Sequence, residues 1–254
     1  LVSVVTDSTA YLPPGLAAER GIVVVPLQVT TGERVTTSQP SPAAFHAAYA
    51  SCASDEIVAV HLSGALSGTV GAADAAGRTS GRSVHVVDSR QIGMGLGFAA
   101  LAAASLAASG GSVADVVAAA ERAAAASRTL FYVDTLEHLR RGGRIGAAAA
   151  LVGTALSVKP LLHLVDGAIA PLEKVRTASR AIARLEELAV AEAGCAPVSV
   201  AVHHLAASSR ADALAERLRA RLPSLADLYV TEVDAVVGAH TGPGMLAVVV
   251  HQPS

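Results

Sequence analysis

Tryptophan is absent from this 254-residue chain, and aromatic residues make up only 3% of it. The hydrophobic share is 52%, much of it alanine, so the large core side chains must come mostly from leucine and valine. Cysteine is nearly absent too. Cys52 and Cys195 are the only two, nothing in their placement suggests pairing, and a reducing cytoplasm is the expected setting. No excess of one charge exists: 19 basic residues face 21 acidic ones, a net of -2, which leaves no electrostatic footprint for nucleic acid or an anionic membrane surface. Long apolar runs are also missing. Ile92 to Ala108 spans 17 residues, carries Gly93, Gly95, Gly97 and Ser105, and follows a strand directly, so it reads as a buried helix and not a membrane span. No spacing of His, Cys and Asp matches a metal set, and neither an internal repeat nor a low-complexity tail is present. No secretory leader is read at the start, and Leu1 in place of Met points to residues missing ahead of it.

What is present is an alternation. Val2 to Val5 is a short apolar run that ends in Thr6-Asp7-Ser8-Thr9. Leu16 to Arg20 predicts a short helix, and Ile22 to Val29 a second strand in which Pro26 disfavours a central position. Thr30 to Gln39 is polar and unpatterned. Ser41 then caps a helix with Pro42 at its first position and Phe45 and Tyr49 on its buried face. Ile57 to His61 and Arg82 to Val87 predict strands, Gly95 to Ser109 a close-packing helix of small residues, and Ser112 with Asp115 a capping box. This order is the signature of a doubly wound α/β domain. A boundary near Ser127 divides the chain into an N-terminal α/β domain, 1–127, and a C-terminal one, 128–254. In the second, Leu130 to Val133 reads as a strand, Leu136 to Arg141 as a helix, and Ala147 to Leu156 as a small, apolar segment. Asp166-Gly167 joins Pro160–Val165 and Ile169–Val175 as a hairpin. Helices follow over Ala181 to Ala193 and from Ser209 and Asp212, with strands over Val198–Val202, Leu228–Val233 and Met245–Val250. The fold class expected is therefore α/β: two α/β domains, the first Rossmann-like, the second a mixed sheet with flanking helices.

Five stretches could carry chemistry. After the Ile57–His61 strand, Ser63-Gly64-Ala65-Leu66-Ser67-Gly68-Thr69 sets hydroxyls and glycines where helix amides can point at an anion. Thr36-Thr37-Ser38 gives three hydroxyls before the Pro42 helix, more than a cap needs, and Thr37 and Ser38 can donate to an anion without bringing charge. His240, between glycines in GAHTGPG, reads as a loop histidine able to donate to a carboxylate or to act as an acid or base. Arg140 and Arg141 suit a helix carboxyl end, but Arg144 lies beyond that account and could face a phosphate or an acidic partner. Gly93-Met94-Gly95-Leu96-Gly97 has the wrong spacing and place for a dinucleotide fingerprint, and close helix packing explains it better. Asp7 would repel an anion and is expected to orient loops by accepting amide bonds. Neutral or weakly basic donors drawn from both halves suit one carboxylate better than a pyrophosphate. No nucleophile elbow is present, since Gly64-Ala65-Leu66-Ser67-Gly68 does not fit the pattern.

Taken together, VVTDSTAYLP (4–13), TTSQPSP (36–42), HLSGALSGT (61–69), VVDSRQIGMGLG (86–97), VDTLEHLRRGGRIG (133–146), LSVKPLL (156–162), LEKVR (172–176) and GAHTGPGM (238–245) run through nearly the whole chain. In that order they resemble the DegV family, the bacterial fatty-acid-binding proteins that serve as the acyl-carrying subunit of fatty acid kinase. The resemblance implies two α/β domains and a fatty acid in a deep apolar tunnel. It places the carboxylate contacts on Thr37, Ser67 and His240, with Ser38 and Gly68 beside them; Thr36 competes with Thr37 for the first contact. Arg144 would face the partner or the transferred phosphate. It further implies a cytoplasmic, non-catalytic lipid-binding protein with no cofactor other than the bound long-chain fatty acid, no metal, no nucleic acid and at most transient membrane contact. Its partner would be a separate ATP-dependent kinase subunit that makes acyl phosphate for phospholipid synthesis. The runner-up is a stand-alone hydrolase acting on a small carboxylate or ester with Ser67 and His240 as the pair. One departure stands out: family members usually carry a longer connection, with an Asp-Gly turn and a short helix, between the second strand and TTSQPS, where this chain has only TTGERV.

Overall fold

Runs of valine and isoleucine closed by polar or glycine turns form the strands, and the alanine-rich stretches between them form helices that can lie close against a sheet. The computed structural model describes residues 1–30, 36–151 and 158–253. It divides the chain into two units, Leu1–Ala126 and Ser127–Pro253.

In chain order the first unit holds β1 (Val2–Asp7), α1 (Leu16–Glu19), β2 (Ile22–Val25), β3 (Gln28–Thr30), β4 (Thr36–Ser38), α2 (Pro42–Ser51), β5 (Glu56–His61), α3 (Thr69–Thr79), β6 (Ser83–Asp88), α4 (Met94–Ala108) and α5 (Val113–Ala125). Four strands form a parallel sheet in the order β2-β1-β5-β6. Alternate residues of β5 serve opposite faces. Ile57 and Ala59 pack with Phe45 and Tyr49 of α2 and Ala73 and Ala76 of α3. Val58 and Val60 pack with Leu96, Ala99 and Ala103 of α4 and Val116 of α5. Both faces are covered, which is why these strands read as continuous apolar runs. The chain leaves β1 for β2 on one side and returns to β5 on the other, so the carboxyl ends of β1 and β5 flank the switch point where open α/β sheets bind ligands.

The expected strand Ile22 to Val29 is corrected. It breaks after Val25, before Pro26, which has no amide to donate. The first piece is an edge strand, while the second, β3, leaves the sheet and pairs antiparallel with β4. Thr36 to Ser38, expected as unpatterned, is therefore a strand. The short connection before TTSQPS falls largely on residues 31–35, outside the described residues. The capping box forms as expected: Ser112 Oγ accepts from the Asp115 amide at 3.3 Å, and Asp115 Oδ2 accepts from the Ser112 amide at 3.2 Å. Among the described residues no helix is long and apolar enough to cross a membrane.

The second unit holds β7 (Ser127–Tyr132), α6 (Glu137–Arg141), β8 (Lys159–Val165), β9 (Ala168–Val175), α7 (Ala178–Ala193), β10 (Val198–His204), α8 (Ser208–Arg221), β11 (Leu225–Glu232), α9 (Ala235–Thr241) and β12 (Leu246–His251). Its sheet is mixed, in the order β11-β10-β12-β7-β8-β9, with only β10 and β11 parallel. The β8–β9 hairpin turns through Asp166 and Gly167, both at positive φ, as the Asp-Gly reading requires. Leu185 of α7 and Leu214 and Leu218 of α8 seal a core with Val200 and Val248. Helix α8 starts one residue before Ser209, and no side chain caps it. Of the small segment Ala147 to Leu156, the described part is a 3₁₀ turn ending at Leu151; the rest lies outside the described residues, as do Leu156 and Ser157 of LSVKPLL. An open groove of about 390 Å³ runs between α7 and α8. Of the charged side chains lining it, buried Glu186 accepts from Arg217 at 2.5 Å, and also from Arg221 of α8 at 2.8 Å.

Candidate functional site

The loop from Leu62 to Gly68 is shaped by carboxylates outside it. At the end of β1, fully buried Asp7 accepts through Oδ1 from the Thr9 amide at 3.0 Å and the Thr9 hydroxyl at 2.6 Å. Through Oδ2 it accepts from the Leu62 amide at 2.9 Å, and His61 Nδ1 stands 3.0 Å away. The expectation that Asp7 orients loops instead of meeting an anion agrees with these bonds. Farther along the loop, Asp88 at the end of β6 accepts from the Gly64 amide at 3.2 Å. Ser89 donates its hydroxyl to the His61 carbonyl at 2.7 Å, and the Ser63 amide donates to the Gln91 carbonyl at 2.9 Å. The VVDSRQ stretch thus braces the SGALSG stretch through hydrogen bonds that neither sequence pattern reveals alone.

This bracing presents Ser67 and Gly68 at the start of α3. Gly68 occupies the cap position with no side-chain cap bond, so the first-turn amides of an 11-residue helix keep their donors toward the loop. Ser67 is half-buried, and among the described residues its hydroxyl partner is Thr69 Oγ1 at 2.8 Å. The TTSQPS segment meets this point directly. A Cβ on Gly68 would overlap the carboxamide oxygen of Gln39, so the glycine is what lets the two loops touch. Thr37 is half-buried and Ser38 exposed on β4, immediately before Gln39. The structure therefore gathers Ser67 and Gly68 with the segment that carries Thr37 and Ser38.

In the second unit a different set gathers. Helix α6 ends in a Schellman motif: the Gly143 amide donates to the Arg140 carbonyl at 3.1 Å, and the Arg144 amide donates to the Leu139 carbonyl at 3.0 Å. Gly143 sits at φ +70°, the left-handed conformation this motif requires. That turn throws Arg144 back over the helix end, where its Nη1 donates to the Gly142 carbonyl at 2.6 Å. Arg140 and Arg141 instead pair with Glu137 on α6 itself, at 2.8 and 2.9 Å. Those bonds hold the Glu137 carboxyl near 2, the Arg140 bond foremost.

His240 is the main local correction. It is not in a loop; it lies in the last turn of α9, whose first turn is capped by Asp234 accepting from the Val236 amide at 2.9 Å. The glycine-rich composition reads as loop, but Gly238 makes room for Leu205, and Gly242 ends the helix where a Cβ would strike the His138 ring. A Cβ on Gly142 would in turn overlap the His240 ring. The α6 turn and the α9 end therefore interlock through two histidines and two glycines. Burial, then the neighbouring Arg144 charge, lowers the His240 pKa from its usual value. A neutral imidazole offers one N–H donor while Arg144 supplies the positive charge. Of the residues involved, Gln39, Asp88 and His138 were not singled out from sequence. Glutamine and aspartate in turns are common, and only their partners reveal the role.

Among the described residues no cluster of three or more His, Cys, Asp or Glu is placed to hold a metal ion. Cys52 is buried and Cys195 exposed, and both are free thiols.

A family model described as "Uncharacterised protein, DegV family" matches residues 30–252. A DegV domain-containing protein of Streptomyces coelicolor is 56% identical, with 98% of each chain covered. That alignment runs over 274 positions against the 254 residues here, so it opens gaps opposite this chain. Among solved structures, a DegV family protein from Thermus thermophilus, described for its fatty acid binding, superposes with a TM-score of 0.92 at 32% identity, over 99% of both chains. DegV of Bacillus subtilis, described as a fatty acid binding protein, superposes with a TM-score of 0.89 at 34% identity, again over 99% of both. The family match spans most of the sequence and both units, and the chain belongs to the DegV family.

Proposed function

We propose that this protein binds a long-chain fatty acid and holds its carboxylate with Thr37, Ser38, Ser67 and the Gly68 region of the first unit together with His240 of the second. The observation that carries this reading is the uncapped start of α3, with the Ser67–Thr69 hydroxyl pair at its mouth and the TTSQPS segment against it. Hydroxyls, helix amides and a neutral imidazole are donors without full charge, which suits a single carboxylate. Membership in a family whose Thermus and Bacillus relatives are described as binding fatty acids supplies the ligand class. Apolar contact along the acyl tail would provide most of the affinity, at ~0.8 kcal/mol per buried CH₂. In this reading the protein is a carrier in the cytoplasm, with no more than transient membrane contact. It presents the carboxylate to a separate ATP-dependent kinase subunit, and Arg144 faces that partner or the phosphate. The Ser67 hydroxyl bonded to Thr69 favours a binding role over a nucleophile.

Mass spectrometry of gently purified protein tests the ligand. A co-purified long-chain acid at close to one per chain is expected, and a persistently empty protein would refute it. Ser67→Ala and His240→Ala should each lower that occupancy. Acyl phosphate should form only when kinase subunit, ATP and loaded carrier are combined.

A further inference from the structure

Asp7 presents a physical problem in a site that takes an anion: a carboxylate with no exposure sits one strand-end from the carboxylate-binding loop. Burying a charge is costly unless hydrogen bonds surround it. Four donor groups on three residues supply them, and they come from two different connections: the Thr9 amide and hydroxyl after β1, and the His61 ring and Leu62 amide at the start of the Ser67 loop. As a carboxylate Asp7 has only acceptors, so His61 Nδ1 carries the proton and donates. The His61 ring, also without exposure, stands edge-on to Phe45 at 5.5 Å between centroids and 87° between planes. Phe45 belongs to α2, which begins at Pro42, three residues after Gln39. One contact chain thus runs from the β1 turn through Asp7 and His61 to the helix that follows TTSQPS, while the backbone of His61 leads straight into the Ser67 loop. Asp7 and His61 are the last residues of β1 and β5, the two neighbouring strands whose carboxyl ends flank the switch point.

We propose that Asp7 and His61 are positioning residues for carboxylate recognition: they touch no ligand, and they set the Ser67 loop and the Thr37–Gln39 segment in the geometry that binds one. This rests on the fatty-acid reading and deepens it. Asp7 anchors the loop backbone through the Leu62 amide, and His61 transmits that anchor to α2 through its ring. Removing the bond between them loosens the donors that meet the acid headgroup, and leaves the apolar contacts of an acyl tail in place.

The test uses delipidated full-length protein and two probes of equal chain length, palmitic acid and 1-hexadecanol, each competing against a fluorescent fatty-acid analogue. Asp7→Asn and His61→Leu should weaken palmitic acid by about tenfold, or ~1.4 kcal/mol, and change hexadecanol by less than about threefold. His61→Asn places an amide N–H near the Nδ1 position, keeps the bond to Asp7 and gives up the ring packing. It should recover most of the palmitic acid affinity that His61→Leu loses. A merely structural role predicts the reverse order, since leucine fills the apolar space better than asparagine. The inference is overturned if His61→Asn binds the acid no better than His61→Leu, or if acid and alcohol weaken in the same proportion. Should Asp7→Asn not fold, the two His61 variants decide the matter alone. A wild-type protein that binds neither probe would instead remove the fatty-acid reading itself.

Discussion

The Leu62–Gly68 loop of the first unit and the Gly142–Gly146 turn of the second are both short and glycine-containing, yet they are held by different forces. The first hangs from charged acceptors: Asp7 takes the Leu62 amide and Asp88 the Gly64 amide. The second is held by shape, with a Schellman turn setting Arg144 and the His240 ring filling the space over Gly142. The hydrogen bonds to buried Asp7 are directional and fix their donors within a narrow range, while exposed Asp88 adds a second tether. Ring-on-glycine packing tolerates no added volume but fixes direction less tightly. Each device suits what it carries: the loop of the first unit holds hydroxyls and amides, and the turn of the second holds one imidazole and one guanidinium.

The largest expected effect that sharpens this contrast lies in the second unit. His203 on β10 is buried, and burial, chiefly, pushes its pKa down to about 4 from 6.5. Below pH 6.5 the unfolded chain takes up a proton that the folded unit refuses until about pH 4. Stability should therefore fall as the pH drops through that window, by up to ~3 kcal/mol from this group, and level off below it. Urea denaturation at pH 7 and pH 4.5 measures the fall, and His203→Gln should flatten it. Parallel curves for wild type and variant would assign the acid sensitivity elsewhere.

A matched pair of glycine substitutions comes next. Gly142→Ala drives a Cβ into the His240 ring, in a packed helix end that cannot easily yield, and should cost ~1–3 kcal/mol. Gly68→Ala meets only the tip of exposed Gln39, which can swing aside, and should cost less than ~1 kcal/mol in thermal unfolding. Equal costs would break the distinction between a loop joined through a flexible side chain and a turn joined by packing. The smallest effect is electrostatic. Arg144→Gln removes the positive neighbour that helps lower the His240 pKa, so an NMR titration should show that pKa rising while the burial contribution remains.

Much of the architecture could be read locally. Alternating apolar runs and alanine-rich stretches predicted the doubly wound first sheet, Ser112 with Asp115 predicted a capping box, and Asp166-Gly167 predicted a hairpin, because each depends on near neighbours and standard backbone geometry. The errors have a shared cause. Ile22 to Val29 looked like one strand because β propensity does not say which partner a strand will take, and only pairing with β4 separates its second piece. His240 looked like a loop residue because Gly238 and Gly242 are poor helix formers, whereas tertiary contacts with Leu205 and His138 are what require them. Within the candidate site, the hydroxyls and the histidine could be named from their setting, but Gln39 and His138 could not, since their significance lies wholly in what they touch.

The amino-acid sequence by itself determined the succession of strands and helices, the turns between them and the family to which the chain belongs, because local sterics and ordered motifs carry that information. Only the tertiary structure decided that Asp7 meets His61 across 54 residues, that Gln39 rests on Gly68 and that His240 lies over Gly142. Such meetings depend on strand order and register, which bring distant side chains to one edge of a sheet, and no periodicity within a single segment encodes them.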